Sequence, residues 1–416
     1  MKPLKSPTLP TGIKHPHFGS KEISDLFLID KNITFLNNGS FGATPKVVLA
    51  YQDMIRQRME MQPVNFMVKQ LPILLRDALK SIAPFIGANA EDLAFVDNAT
   101  TGANSVIQSL MHSWKKGDHI LTTDHVYGAV RTTLQYATSI KGAKLIEAHV
   151  PFPLEDEDEV VEAITRHFTK KTKLLVIDHI TSPTGIIFPI ERIIKECKQR
   201  DIPVFVDGAH APGLISLNLN ALGADWYTGN FHKWLYAPKG CAILWTHPKH
   251  QSMMHPTVIS HGYMQGYIQE YDWTGTKDHS AFISAPIGLS LHAKMGSDFL
   301  MQTYHATAIA MRNMIADVWK TTVPAPDSMI GSLASIEAPK HLQYDGEDAL
   351  LYAQALHDIL WNEHKIEIPV IPFHGKIWIR FSVQVFNQFR DYAHLAETVS
   401  IIKKGQVMKM LKTLKS

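Results

Sequence analysis

The sequence predicts an α/β protein: a mostly parallel, seven-stranded sheet sandwiched by helices, followed by a smaller α+β C-terminal domain. Three observations predict it. Seven short apolar runs occur between residues 92 and 245: DLAFVD, HILTTD, KLIEAHV, KLLVID, PVFVD, DWYTG and CAILW. Helical patterns (ANSVIQSLMHSW, YGAVRTTLQYA, DEVVEAITRHF, IERIIKECKQR) separate most of them. Buried runs alternating with helices are the signature of a parallel sheet covered on both faces. Beyond Ala285 this rhythm stops and a long helical stretch begins.

Taken in order, residues 1–45 form an arm and a loop. The arm is polar and proline-punctuated, without an apolar segment of signal-peptide length. Leu26 to Leu36 leads into the glycine-rich NNGSFGATP, whose Pro45 opens a helical pattern running to about Ile86. Residues 46–285 are expected to form the large domain. The connection through YAPKG is too short for a helical crossover, so one neighbouring strand is expected to run antiparallel. Residues 286–416 then form a bridging helix and a small domain, with a helix near 348–363, strands IEIPVIPF and KIWIRFS, and a terminal helix. The acidic run EDEDE, at 155–159, sits where a helix starts and reads as a solvated first turn.

Composition narrows the function classes. The 416 residues carry a formal net charge of +2, which gives no electrostatic case for a nucleic-acid or membrane partner. No apolar run approaches the ~20 residues of a membrane span. Two distant cysteines, Cys197 and Cys241, form neither a disulfide framework nor a zinc spacing, so a reducing, cytoplasmic setting is expected. G-x-x-x-x-G-K-[ST], a strand-borne G-x-G-x-x-G and H-E-x-x-H are all missing, and the 22 histidines are scattered. No metal site is expected from that pattern.

Ligands of open α/β sheets gather at the carboxyl ends of the strands. There the sequence places NATTGAN, DHVYG, HITSPTG, DGAHAPG and NFHKW. Lys233 stands among His232, Trp234, Leu235 and Tyr236, and burying an ammonium is costly unless something is gained. Asp207 ends a strand that reads as buried on both faces, where a carboxylate must be paired. NATTGAN opens a helix whose free N–H groups can hold a phosphate. Each feature has a plainer reading: a turn-capping Asp, a Thr N-cap, interior histidines at 125 and 210, and a snorkelling lysine with Lys239 as competitor. Together they fit pyridoxal phosphate, which needs a lysine for an imine, a carboxylate for its ring nitrogen, a phosphate cup and a ring over its face.

VDGAHAPG followed by TGNFHKWLYAPKG resembles the class V aminotransferase group of fold-type I pyridoxal-phosphate enzymes. FLNNGSFGATP, NATTGAN, TDHVYGA, HITSPTG and WTGTKD resemble its isopenicillin N epimerase-like branch, in the same order along nearly the whole chain. The resemblance implies that Lys233 is the Schiff-base lysine and Asp207 the partner of the ring nitrogen. It implies His210, with Ser182 nearby, at the phenolic oxygen, and Thr100, Thr101, Asn230 and His232 in the phosphate cup. Gly275 and Thr276 match a pair donated by the neighbouring subunit, which implies a homodimer with shared sites. His125 matches the ring-stacking position, with Tyr127 as its alternative or as an acid. Arg380 matches the clamp on a substrate carboxylate. Asn38 stands in the substrate loop where the family often has histidine, which puts that role in question.

The expected activity acts at the α-carbon of an amino acid, as an epimerase or aminotransferase. A C–S lyase is the alternative, and a catalytically idle binding protein is an alternative of another class. Neither cysteine suits the nucleophile that a persulfide-forming desulfurase needs.

Overall fold

The computed structural model describes residue 4 and residues 6–415. Its main sheet has seven strands: β1 (Leu93–Val96), β2 (His119–Thr123), β3 (Lys144–Ala148), β4 (Thr172–Asp178), β5 (Val204–Asp207), β6 (Trp226–Asn230) and β7 (Ala242–Thr246). Their spatial order is 3-2-4-5-6-7-1, and β7 alone runs antiparallel, to both β6 and β1. The short YAPKG return therefore has the consequence expected of it.

The inner strands face a core on each side. On β4, Leu175 and Ile177 join one apolar cluster, while Leu174 and Val176 join another on the opposite face. This alternation explains why these runs read as continuously apolar. Helices cover both faces for reasons local to their sequences. Ile190–Lys198 lines up Ile190, Ile193, Ile194 and Cys197 along one buried stripe. Glu157–Thr165 starts at Asp156, whose carboxylate accepts from the N–H groups of Asp158 and Glu159, with acidic residues filling the first turn. EDEDE is thus a helix start.

Beyond the sheet, the expected long helices are interrupted. The stretch after Pro45 divides into Lys46–Met61, a π-helical segment Phe66–Gln70 and Leu71–Ile82. The bridging stretch begins earlier than Ala285, as Ser280–Met295, and resumes as Ser297–Trp319. Gly296 lies between them at φ 94°, a conformation that breaks the helical path. A three-stranded antiparallel sheet follows, made of β8 (Leu333–Glu337), β9 (Val370–Phe373) and β10 (Lys376–Ser382), with β10 central. β8 was not anticipated. The expected strand IEIPVIPF divides around Pro369, and its first part, Ile366–Glu367, pairs in parallel with Thr34–Phe35. That pairing carries the NNGSFGATP loop onto the C-terminal end of the main sheet. Among the described residues no helix is long and apolar enough to cross a membrane.

Candidate active site

Lys233 lies in the excursion between β6 and β7, whose ends are held by the Asn230–Ala242 pair. Phe231 and Trp234 are buried and seat the short turn Phe231–Trp234. Part of the Lys233 side chain remains open, and its Nζ lies 3.0 Å from Nε2 of His210. Desolvation brings the Lys233 amine down to about 7; the Arg380 charge pushes the same way, and Asp207 and Asp178 pull it back up. An unprotonated lysine is thereby accessible near neutral pH.

Asp207 ends β5 and is buried, with Oδ1 accepting the Ala209 N–H at 2.9 Å. Burial raises its carboxyl, while that N–H and the Lys233 charge lower it. Beside it, in register on β4, stands Asp178. Burial and the neighbouring Asp207 charge hold Asp178 well above the usual carboxylate range, and its Oδ2 has no protein partner. His210 is kept neutral by burial and by the Lys233 charge, and its Nδ1 is also without a partner. The chain passes close here. A Cβ on Gly208 would stand 2.1 Å from the Tyr227 hydroxyl, so only glycine fits.

Thr100 and Thr101 occupy the first turn of Ala99–Met111. The Asn98 side chain caps that turn through Thr101 N–H at 2.9 Å, and Asn230 Oδ1 accepts the Ala99 N–H, also at 2.9 Å. Asn230 therefore ties the helix start to the strand end that leads to Lys233. His232 donates through Nδ1 to the Cys241 carbonyl at 3.0 Å, and burial lowers it to about 4. Arg380, on β10, is buried and donates to the Ser182 carbonyl, with the Ser182 hydroxyl at 3.4 Å. Burial lowers its guanidinium to about 10, the Tyr127 charge opposes this, and Nε has no partner.

Three expected roles meet a different geometry. His125 is fully buried, with Nδ1 2.8 Å from the Thr184 hydroxyl and Nε2 3.1 Å from the Val150 carbonyl. Phe373, Phe188 and Phe152 surround it. A ring so enclosed has no open face for a cofactor and no free nitrogen for a proton. Tyr127, two residues on, is 46% exposed and electrostatically coupled to Arg380. Asn38 is also fully buried: its amide donates to the Lys233 carbonyl at 3.1 Å and its Oδ1 accepts the Ala43 N–H at 3.0 Å. It holds the loop against the lysine and faces no open space for a substrate. Gly275 and Thr276 face open space within the one chain: Thr276 is exposed, and a Cβ on Gly275 would meet nothing within 4 Å.

Asp178 is a candidate site residue that the sequence reading passed over. Its signal was present, because KLLVID ends on a carboxylate as PVFVD does. Gly42 was likewise read only as part of a glycine-rich loop. It sits at φ 70°, and a Cβ there would lie 2.0 Å from the His232 carbonyl.

The donor set fits pyridoxal phosphate. A half-open lysine of depressed pKa stands among buried carboxylates, and the buried Nδ1 of His210, Oδ2 of Asp178 and Nε of Arg380 are unpartnered. A helix N-terminus completes the set. The family comparison agrees: residues 33–351 match the model described as Aminotransferase class-V. The chain belongs to that family. This class-V protein is a pyridoxal-phosphate-dependent enzyme. It is 30% identical to a "Probable L-cysteine desulfhydrase, chloroplastic" of Arabidopsis thaliana, over 94% of this chain and 88% of that one. It is 29% identical to the isopenicillin N epimerase of Amycolatopsis lactamdurans, over 90% and 96%. A solved cystine C–S lyase, in complex with cysteine persulfide, shares its fold with a TM-score of 0.75 at 21% identity, covering 90% of this chain and 98% of the other.

Proposed function

We propose that this class-V enzyme withdraws the α-proton of a small amino acid with the amine of Lys233. The observation that carries the reading is that amine itself, at about 7 and 3.0 Å from a neutral His210. Pyridoxal phosphate, when bound, supplies the electron sink that makes such a proton removable. Asp207 would hold the ring nitrogen. His210 would donate to the phenolic oxygen from the nitrogen that carries its proton. Thr100, Thr101, Asn230 and His232 would form the phosphate cup. Arg380, positioned by Ser182, would receive the substrate carboxylate and orient the Cα–H bond toward Lys233.

Two continuations share this first half. Release of a sulfur substituent from Cβ needs no base beyond Lys233, and relatives named as cysteine desulfhydrases support it. Cysteine and water would then become pyruvate, ammonia and sulfide. Burial raises the thiols of Cys197, to about 12, and Cys241, so neither favours a thiolate that could carry sulfur as a persulfide. Inversion at Cα needs a second acid on the opposite side; Tyr127 is the open hydroxyl for it, and the isopenicillin N epimerases support this reading.

The reading includes a homodimer. Gly275 and Thr276 would complete the partner's cup, and Phe41, Met61, Val64, Val68 and Ile73 present exposed apolar surface for the contact. Two free, buried thiols support a cytoplasmic setting.

The test is incubation of the loaded enzyme with L- and D-amino acids, cysteine included, in deuterated water. Pyruvate with sulfide marks elimination, α-deuterated substrate of inverted hand marks epimerisation, and a keto acid marks transamination. No deuterium at Cα and no product with any of them would end the proposal.

A further inference from the structure

At the ends of two neighbouring strands, three side chains from distant parts of the sequence converge. Asp124 follows β2, His149 follows β3, and His374 stands in the turn joining β9 to β10. Asp124 Oδ2 lies 2.7 Å from His149 Nδ1 and 2.8 Å from His374 Nε2, and all three atoms lie within 4.8 Å of one another. The ligands are 25 and 250 residues from Asp124 in sequence, which is why no spacing betrayed them.

We propose that Asp124, His149 and His374 bind a divalent first-row transition metal of the zinc(II) type. The metal would staple the β9–β10 hairpin to the edge of the main sheet.

The donor set is two imidazoles and one carboxylate, which suits zinc and its neighbours and not magnesium or calcium. Zinc bonds of about 2.0–2.1 Å at tetrahedral angles separate ligand atoms by about 3.3 Å. The two oxygen–nitrogen contacts must therefore open by roughly half an ångström. His149 can supply that movement, since its side chain is 72% exposed. Asp124 is held: Val150 donates to its Oδ1 at 3.1 Å, and its own N–H reaches the Ala148 carbonyl at 3.0 Å. A ligand oriented by a second bond is the usual support around a metal.

The hairpin tip holds His374 in a defined place. His374 and Gly375 are the two turn residues between the paired Phe373 and Lys376, with φ 46° and 72°. Such turns favour Asn-Gly, and histidine is among the non-glycine residues that accept a positive φ most readily. The Phe373 ring stacks on the imidazole at 4.1 Å and fixes its direction toward Asp124. Binding is balanced in protons: a neutral imidazole moves its proton to the other ring nitrogen, and an imidazolium releases it. The fourth position is left to water.

The test is calorimetric titration of the pyridoxal-phosphate-loaded full chain with zinc chloride, repeated with cobalt(II) for its visible tetrahedral spectrum and with calcium. His374→Asn preserves the turn chemistry and removes one ligand; His149→Gln removes the exposed one. Expected are one metal per chain, a cobalt spectrum with nitrogen ligation, no calcium binding, and loss of at least about tenfold in affinity in either variant. Slower hydrogen exchange across residues 373–376 on adding zinc is expected in the wild type alone. Equal binding by wild type and both variants would assign the metal to the cofactor and overturn the proposal. Absence of saturable binding below millimolar zinc would overturn it too.

Discussion

An amine titrating near 7 is about half unprotonated in neutral water, whereas an ordinary lysine is almost wholly charged. In Lys233 that state is imposed mainly by burial, so it has a cost that appears in the pH dependence of stability. Between about 7 in the fold and about 10.5 in the unfolded chain, the unfolded state binds more protons, so stability rises with pH across that window. Denaturant titrations of the cofactor-free protein should show this rise, of up to about 1.4 kcal/mol per pH unit, and Lys233→Met should lack it. The same variant should lose reducible covalent attachment of the cofactor. Attachment persisting at Lys239, whose Nζ lies 3.3 Å from the Thr44 hydroxyl, would move the assignment there. For Arg380→Ala the expected change is a rise in KM of roughly tenfold or more with a smaller change in kcat, read from initial rates. A KM left unaltered would remove Arg380 from the substrate carboxylate.

Elements position these side chains, and the NNGSFGATP loop shows how tightly. Asn38 grips the Lys233 carbonyl while Gly42 passes so close that no side chain fits. Gly42→Ala combines a left-handed φ with a clash against backbone, and should cost about 1–3 kcal/mol of stability. It should also lower kcat by lifting the loop from Lys233; thermal melts and rates together check this. Much at this scale was legible. The inner strands were readable because burial on both faces leaves unbroken apolar runs, and the antiparallel return because YAPKG is too short for a crossover. Helix interruptions were not, because Phe66–Gln70 keeps a helical rhythm while changing its hydrogen bonds. β8 escaped notice because LASIE is short, with small and polar residues among its apolar ones. Around the site, Lys233 and Asp207 stood out by where they occur along the chain. His125 and Tyr127 were harder to separate, since two residues past a strand end decide which ring stays exposed and which is walled in by phenylalanines.

For the whole molecule, the proposed shared cup makes cofactor affinity depend on assembly. Thr276→Ala should weaken pyridoxal-phosphate binding several-fold without changing the mass in solution. Val64→Asp, on the exposed apolar face, should give monomers with at least the same loss. Equilibrium titration alongside analytical ultracentrifugation checks both, and a monomer of full affinity would refute sharing.

The Asn230–Ala242 pairing has a last consequence. With both ends of the lysine's excursion zipped into one ladder, the sheet itself anchors the proposed attachment point.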